Sequence, residues 1–504
     1  MAAPPNLVGS ISPGWGLAVL SGTFLAYLLL RGIYYAFFHP LSKIAGPKLY
    51  AASDIPYLYH IVRGNWPQKL KELHDRYGPV VRTTNNDVSF TTPGAWKTIY
   101  GHRAAGQETF QKDRKGYRPT VSGHPNIIIA NDADHRRQRR LLTHAFSDKA
   151  LRGQEDIMKR YVDLLIAKLH ERARTATPVV DIVKWYNFTT FDLIGDLAFG
   201  QPFGCLESGG YHPWVAMIFE SIKLGSLSTV ILRHPWLKPL ARLFISRKLV
   251  RNQDNHRELT TQTAKRRLES GNLTREDFIS YILRYNDEKG MSEWEIIENS
   301  SILIIAGSET TATQLSGTTF WLLTRGNEDK YRRLVDEIRG RFEREEDITL
   351  ISVQGLEYMN ACFEESFRMY PPVPIALPRL TPDKGEVIEG YYIPRKVGVG
   401  VPQWASYQTE RNFKNHDKFV PERWLGDPEY ENDVRAILQP FSTGPRNCIG
   451  RNLAYAEMRL ILARLFWNFD LEMMPDSQNW NKQKIYTLWE KGAINVKLKP
   501  VRRE

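Results

Sequence analysis

The chain has 504 residues, 42% hydrophobic and 25% charged, a globular balance that excludes a disordered chain, a collagen-like repeat and a multi-span transporter. Lys and Arg exceed Asp and Glu by 68 − 56 = 12, which suits an anionic membrane surface, a nucleic acid or an acidic protein partner. Three cysteines, Cys205, Cys362 and Cys448, are too few and scattered for a disulfide framework and fit a reducing compartment.

From Trp15 to Phe38 the only charge is Arg31, and the run matches the ~20 apolar residues that a bilayer core requires. Trp15, Tyr34 and Tyr35 stand where interfacial aromatics belong, and Arg31 is near enough to the end to reach the headgroups. A cleaved signal peptide is the alternative. No basic residue precedes the run and no small-residue cleavage site stands out, which favours a retained anchor. Basic residues follow the run and none precedes it, placing the bulk of the chain on the cytosolic side. Pro40, Gly46 and Pro47 forbid a continued helix, so residues 39–50 read as a stiff hinge between the 1–38 segment and a body of 51–504. No low-complexity linker divides that body, which is expected to be one domain. Sequons at Asn187, Asn272 and Asn299 go unused if the body is cytosolic.

Along the body, Pro79–Thr83 and Val88–Thr91 predict a small hairpin, and a second β-like region runs from Ile388 to Val401. Amphipathic helices are expected over Asp156–Arg174 and Asn187–Phe199. The class is therefore mainly α with small β-sheets. His135-Arg136-Arg137-Gln138-Arg139-Arg140 is the densest charge cluster; Arg136, Arg137 and Arg140 read as a solvated face, and His135 and Arg139 share another side. A long helix begins at the capping box Ser292-x-x-Glu295 and should stop near Arg325-Gly326. Its apolar middle should be buried, yet the centre reads Ala306-Gly307-Ser308-Glu309-Thr310-Thr311. Glycine and a carboxylate are both costly inside a core helix, so this stretch points to a site with something packed against the backbone; an ordinary surface turn is the plainer alternative.

Phe441 to Gly450 is a Gly- and Pro-punctuated loop that opens the last long helix, with Cys448 at the helix start. Free N–H groups there favour a thiolate, and Arg446 can pair with a ligand carboxylate. A lone cysteine is usually a core thiol, the reading given to Cys205 and Cys362. The glycines, the arginine and the helix start make Cys448 a candidate metal-bound thiolate.

Phe441-x-x-Gly444-x-Arg446-x-Cys448-x-Gly450 resembles the haem-thiolate signature of the cytochrome P450 family. Three further blocks resemble that family's motifs in its order: Ala306–Thr311, Glu365-x-x-Arg368 and Phe419–Trp424. The resemblance covers the whole chain and implies the P450 fold with one N-terminal transmembrane helix. It implies haem b ligated by Cys448, with Arg446, Arg379, His135 and Arg139 toward the propionates. His135 stands where the family commonly has Trp. It implies a structural triad of Glu365, Arg368 and Arg423, and proton handling by Glu309 and Thr310 during oxygen activation. By the same analogy the pocket is walled by the 108–129 loop and by Ile302, Ile305, Ala306, Val373, Ile375, Leu377 and Leu488, mostly apolar and suited to a lipophilic substrate.

No flavin or nicotinamide motif is present, so the resemblance implies electrons from NADPH through a separate P450 reductase, with Arg136, Arg137 and Arg140 as a docking face. It implies a monomeric, single-pass protein of the endoplasmic reticulum membrane with a cytosolic catalytic domain. The hinge and the Asp196–Gly204 stretch are similar to fungal P450s of secondary metabolism, which suggests a polyketide, terpenoid or alkaloid intermediate. Two alternatives stay open: a P450-fold isomerase or dehydratase that needs no reductase, and a non-catalytic haem-binding membrane protein. Glu309 and Thr310 argue for oxygen activation. A nucleic-acid partner is not expected, since no recognition motif accompanies the charge.

Overall fold

The structure, a computed structural model, describes residues 13–501 except 118, 121, 213–214, 216–227, 240–246 and 272–273. Asn272 therefore lies outside the described residues. Helix α1, Pro13–Ile33, stands almost wholly exposed, and Gly14–Phe38 is long and apolar enough to cross a bilayer. Its end is tied to the body. The buried Arg82 guanidinium donates to the Tyr35 carbonyl at 2.7 Å, and Lys48 Nζ donates to the Ala36 carbonyl at 3.2 Å.

The body is mainly helical, with helices α2 (Ile55–Arg63), α3 (Asp132–Leu142), α4 (Glu155–Ala173), α5 (Ile182–Phe199), α6 (Glu293–Leu323), α7 (Glu357–Met369) and α8 (Arg451–Asn468) as its main pieces. The expected hairpin forms: strand β1, Val80–Arg82, pairs antiparallel with β2, Asp87–Phe90. Helix α5 starts at Ile182, five residues before Asn187, because the Asp181 side chain caps it by accepting from Val183 N–H.

The β-like region from Ile388 to Val401 is broken rather than continuous. Strand β3 (Gln111–Lys112), β4 (Val179–Asp181), β5 (Arg379–Leu380), β6 (Glu386–Ile388), β7 (Tyr391–Ile393) and β8 (Gly398–Gly400) complete the set before the C-terminal pair β9 (Phe469–Met473) and β10 (Asn495–Pro500). Glu389 and Gly390, both at positive φ, turn β6 back onto β7 as a separate hairpin. Strand β8 instead joins the five-stranded sheet, ordered β1-β2-β8-β5-β3. A third sheet is ordered β4-β10-β9.

Helix α6 runs through the core, packed along α5. Its capping box forms as the sequence requires, with Ser292 and Glu295 exchanging side-chain bonds for backbone N–H groups. It ends at Leu323, two residues short of Arg325, where Thr324 turns extended. Gly307 is needed for this packing: a Cβ there would sit 2.7 Å from Ile194 Cδ1 of α5. What presses on the glycine is therefore a neighbouring helix. Asn299, in the same helix, is fully buried and bonded to Ile127 N–H and the Glu295 carbonyl, so it is closed to glycosylation.

Candidate active site

The cysteine loop is held from both ends. Ser442 and Gly444 take positive φ, and a Cβ on Gly444 would fall 1.9 Å from the Tyr100 carbonyl oxygen. Cys448 N–H donates to the Phe441 carbonyl at 2.8 Å, folding the loop back on itself. Helix α8 begins three residues later than the thiol, at Arg451, with Gly450 as its N-cap. Cys448 is exposed, its side chain opening onto a cavity within the protein. Burial raises its thiol pKa, while Gly450 N–H and the Arg139 and Arg451 charges oppose that rise. Cys205 and Cys362 are buried thiols, both pushed up by desolvation, as core thiols should be.

Arg139 is turned toward this loop. It donates to the Asn447 carbonyl at 2.7 Å and to Asn447 Oδ1 at 2.6 Å. Arg446 donates to the Ala130 carbonyl at 2.8 Å and Asp132 Oδ1 at 2.7 Å. The i,i+3 pair Glu365 and Arg368 on α7 meets Arg423, and all three are fully buried. Arg368 Nη2 to Glu365 Oε1 is 2.7 Å and Arg423 Nε to Glu365 Oε2 is 3.0 Å. Val420 N–H and Trp424 Nε1–H also donate to Glu365, and Asp433 closes the cluster on Arg423. Asp433 carries no motif spacing and is not readable from the sequence.

The cavity that Cys448 faces is lined by Ile302, Ala306, Gly307 and Thr310 of α6, by Ile127 and Ile128, and by Val373 and Leu377. Ile305 and Ile375 are not among its lining residues and pack partly buried against the core. Leu488 lines a different cavity. One part of the main cavity gathers basic side chains: Lys112, His135, Arg139, Arg379 and Arg446. Burial, then the nearby guanidinium and ammonium charges, drives His135 down to about 3, so it is neutral. Lys112 was not singled out in the sequence. The β3–β5 register sets it directly opposite Arg379, a like-charge pair that is unfavourable in isolation. Among the described residues, Arg379 Nε, Arg446 Nη1 and the Tyr117 hydroxyl are buried without partners. A bound group carrying carboxylates answers both facts, so these residues fit a haem whose propionates reach this end.

Glu309 and Thr310 do not share a cavity. Thr310 lines the main one, its hydroxyl donating to the Ala306 carbonyl at 2.5 Å. Glu309 faces a second cavity and pairs with Lys491 at 2.7 Å. Adjacent helical residues point about 100° apart, and here that rotation carries Glu309 to the far side of α6 from Thr310. A further carboxyl escaped the sequence reading: Glu457 of α8, buried, lining the main cavity, with Oε1 unpartnered. Burial pushes it up to about 8 against a bond from Thr311. On α3, Arg137 is no solvated charge, because it spans Glu295 at 2.6 Å, Asp134 at 2.9 Å and the Gly290 carbonyl. Arg136 and Arg140 are exposed.

The cytochrome P450 family model matches residues 53–496, and the chain belongs to that family. The relatives it matches are named as monooxygenases, and the chain is an oxidoreductase of that kind. It is 45% identical to the cytochrome P450 monooxygenase astJ of Aspergillus oryzae (strain ATCC 42149 / RIB 40), over 94% of this chain and 95% of that protein. It is 44% identical to the monooxygenase efuB of Hormonema carpetanum over 95% of this chain and 96% of that protein. It is 43% identical to the trichothecene C-4 hydroxylase of Trichoderma arundinaceum over 98% and 99%.

Proposed function

We propose that this protein inserts one oxygen atom from O₂ into a lipophilic small molecule of fungal secondary metabolism, by hydroxylation or a related oxidation. The observation that carries this reading is the single cavity onto which Cys448, the small-residue stretch of α6, an apolar wall and a cluster of basic side chains with unpartnered N–H groups all open. Cys448 would ligate haem iron, and Lys112, Arg379, Arg446 and His135 would meet its propionates. Arg139 acts on the same loop through Asn447. When bound, the haem supplies oxygen activation and transfer. The chain's own part is to bind, orient and exclude water. The Glu365, Arg368 and Arg423 cluster positions the loop; Thr310 offers a hydroxyl within the cavity; Glu309 supplies protons from the far side of α6. Ile127, Ile302, Val373 and Leu377 present a wall that suits an apolar substrate. The hydroxylase among the relatives supports hydroxylation, and a polyketide, terpenoid or alkaloid skeleton is the substrate class.

Residues 1–38 are read as anchor, 39–50 as hinge and 51–504 as the catalytic domain, facing the cytosol from the endoplasmic reticulum membrane. Electrons come from NADPH through a P450 reductase in the same membrane. The test is a CO-difference spectrum of the reduced full-length protein. A red-shifted, thiolate-type band is expected, and Cys448→Ala should abolish it together with reductase-dependent turnover. Turnover that persists without NADPH and O₂ would move the protein to an isomerase or dehydratase.

A further inference from the structure

Between residues 101 and 131 the described chain holds one strand, β3, two residues long. A stretch of that length with so little regular structure takes its shape from what ties it down. The turn at its end, residues 126–130, closes on itself. Asn126 Oδ1 accepts from Ile128 N–H at 3.1 Å and Ile129 N–H at 3.3 Å, and the Asn126 carbonyl accepts from Ala130 N–H at 2.9 Å. Outside ties then set where the turn sits. Arg446 of the cysteine loop donates to the Ala130 carbonyl, Gln138 Nε2 of α3 donates to the Pro125 carbonyl at 2.7 Å, and Ile127 N–H donates to Asn299 Oδ1 of α6 at 2.9 Å. No backbone carbonyl among the described residues takes up Ile127 N–H. Asn299 Nδ2 donates in turn to the Glu295 carbonyl at 2.8 Å and to Gln138 Oε1 at 3.3 Å. Both amides are 0% exposed, and neither has an unpartnered polar atom. Fully satisfied buried amides specify one geometry, and these hold the turn that brings Ile127 and Ile128 onto the main cavity.

We propose that Asn299 is a specificity-determining positioning residue: its side-chain oxygen sets how far the Ile127–Ile128 edge stands into the cavity, and thereby which lipophilic molecules the apolar wall admits. This rests on the monooxygenase reading above. Asn299 is not itself among the residues that line the cavity, so it acts through Ile127. Without its oxygen, Ile127 N–H would be buried and unpaired, a costly state. The turn escapes that state by pivoting on its Arg446 and Gln138 ties until Ile127 N–H meets water, and the Ile127 side chain leaves the wall with it. Gln138, which bonds Asn299 and the loop at once, ties the same edge to α3.

The test is a pair of spectral titrations on the full-length holoprotein. Imidazole is small and reports access to the haem alone, whereas 4-phenylimidazole adds an apolar ring that must lie against the wall. In Asn299→Ala the dissociation constant of 4-phenylimidazole should rise roughly tenfold while that of imidazole stays within about twofold. Asn299→Asp keeps an oxygen at Ile127 N–H and, protonated in its buried place, a donor to the Glu295 carbonyl, so it should restore the wild-type constant. Amide exchange over residues 122–131 should quicken on the order of tenfold in Asn299→Ala, with no change over α7. If Asn299→Ala does not retain haem, Asn299→Ser, whose hydroxyl is too short to reach Ile127, is read by the same criteria. Equal weakening of both probes, an unchanged 4-phenylimidazole constant, or Asn299→Asp as defective as Asn299→Ala overturns the assignment. A wild-type protein without a thiolate-type CO band would sink the monooxygenase reading instead, and amide exchange of the turn would still judge the role of Asn299.

Discussion

The cysteine-loop side and the central-helix side of the main cavity are built on opposite rules. Behind the loop, the Glu365 carboxylate is saturated from within the chain, accepting from Arg368, Arg423, Trp424 and Val420. Along α6 and the facing part of α8, several buried polar atoms have no partner, among them Glu309 Oε2, Gln314 Oε1 and Glu457 Oε1. A saturated network fixes a geometry, whereas orphaned buried atoms mark where water, ligand or proton must enter. On the proposed function, the first region is scaffold for the thiol and the second is the working surface.

Breaking the scaffold should do the greatest damage. Glu365→Gln leaves two fully buried guanidinium groups facing an uncharged amide, and removing one partner of such a cluster costs about 3–5 kcal/mol. The expected outcome is loss of holoprotein: a collapsed thiolate-type CO band and a sharply lowered unfolding midpoint. Normal haem content in this variant would show that the network does not position the loop.

The same contrast explains what the sequence disclosed. Scaffold residues could be read because their partners sit at fixed short spacings, as in Glu365 with Arg368, or within one loop, as in Gly444 with Cys448. Their contacts are properties of the motif. Asp433 and Lys112 act through tertiary register, the latter only because β3 pairs with β5. On the working surface, motif adjacency misled: Glu309 and Thr310 are neighbours in sequence, but helical rotation sends them to different cavities. The α6 N-terminus was legible because a capping box is local, while its end was misplaced by two residues because Thr324, not a glycine, turns the chain.

Glu457 sharpens the comparison through pH. Its carboxyl is raised from 4.5 in the unfolded chain to about 8 in the folded one. A raised folded-state value contributes stability that is fully present below about 4.5 and is lost as pH rises through 8. Glu457→Gln removes that loss. Across pH 5 to 8 the wild type should lose on the order of 2–4 kcal/mol relative to the variant, read from urea midpoints. Parallel profiles would mean that Glu457 is already hydrated.

Thr310→Ala should separate chemistry from stability. Among the described residues its hydroxyl bonds to the Ala306 carbonyl of the same helix alone, so the unfolding midpoint should barely move. Product per NADPH should fall roughly tenfold, with peroxide making up the difference. A variant that loses stability in proportion to activity would make Thr310 a helix-packing residue.

The smallest effects belong to the basic face of α3, where the arginines divide as the two regions do. Arg136 and Arg140 are exposed, and the Arg140–Asp287 contact at 3.7 Å joins side chains more than half exposed, a pair worth little to stability. Reversing both charges should raise the apparent KM for reductase a few-fold, more at low salt, and leave the unfolding midpoint in place. Arg137 is committed inward. Burial pushes Glu295 up, but bonds from Arg137, Ser292 N–H and Gln138 outweigh it and hold the carboxyl at about 2. A depressed folded-state value contributes stability present above about 4.5 and lost as pH falls toward 2. Arg137→Met should therefore cost about 1 kcal/mol at pH 7, discounted for the partial exposure of the guanidinium, and the gap from wild type should close as pH falls from about 4.5 to about 2. If Arg137→Met instead weakens reductase coupling at unchanged stability, the ion pair opens in solution and α3 presents three docking charges rather than two.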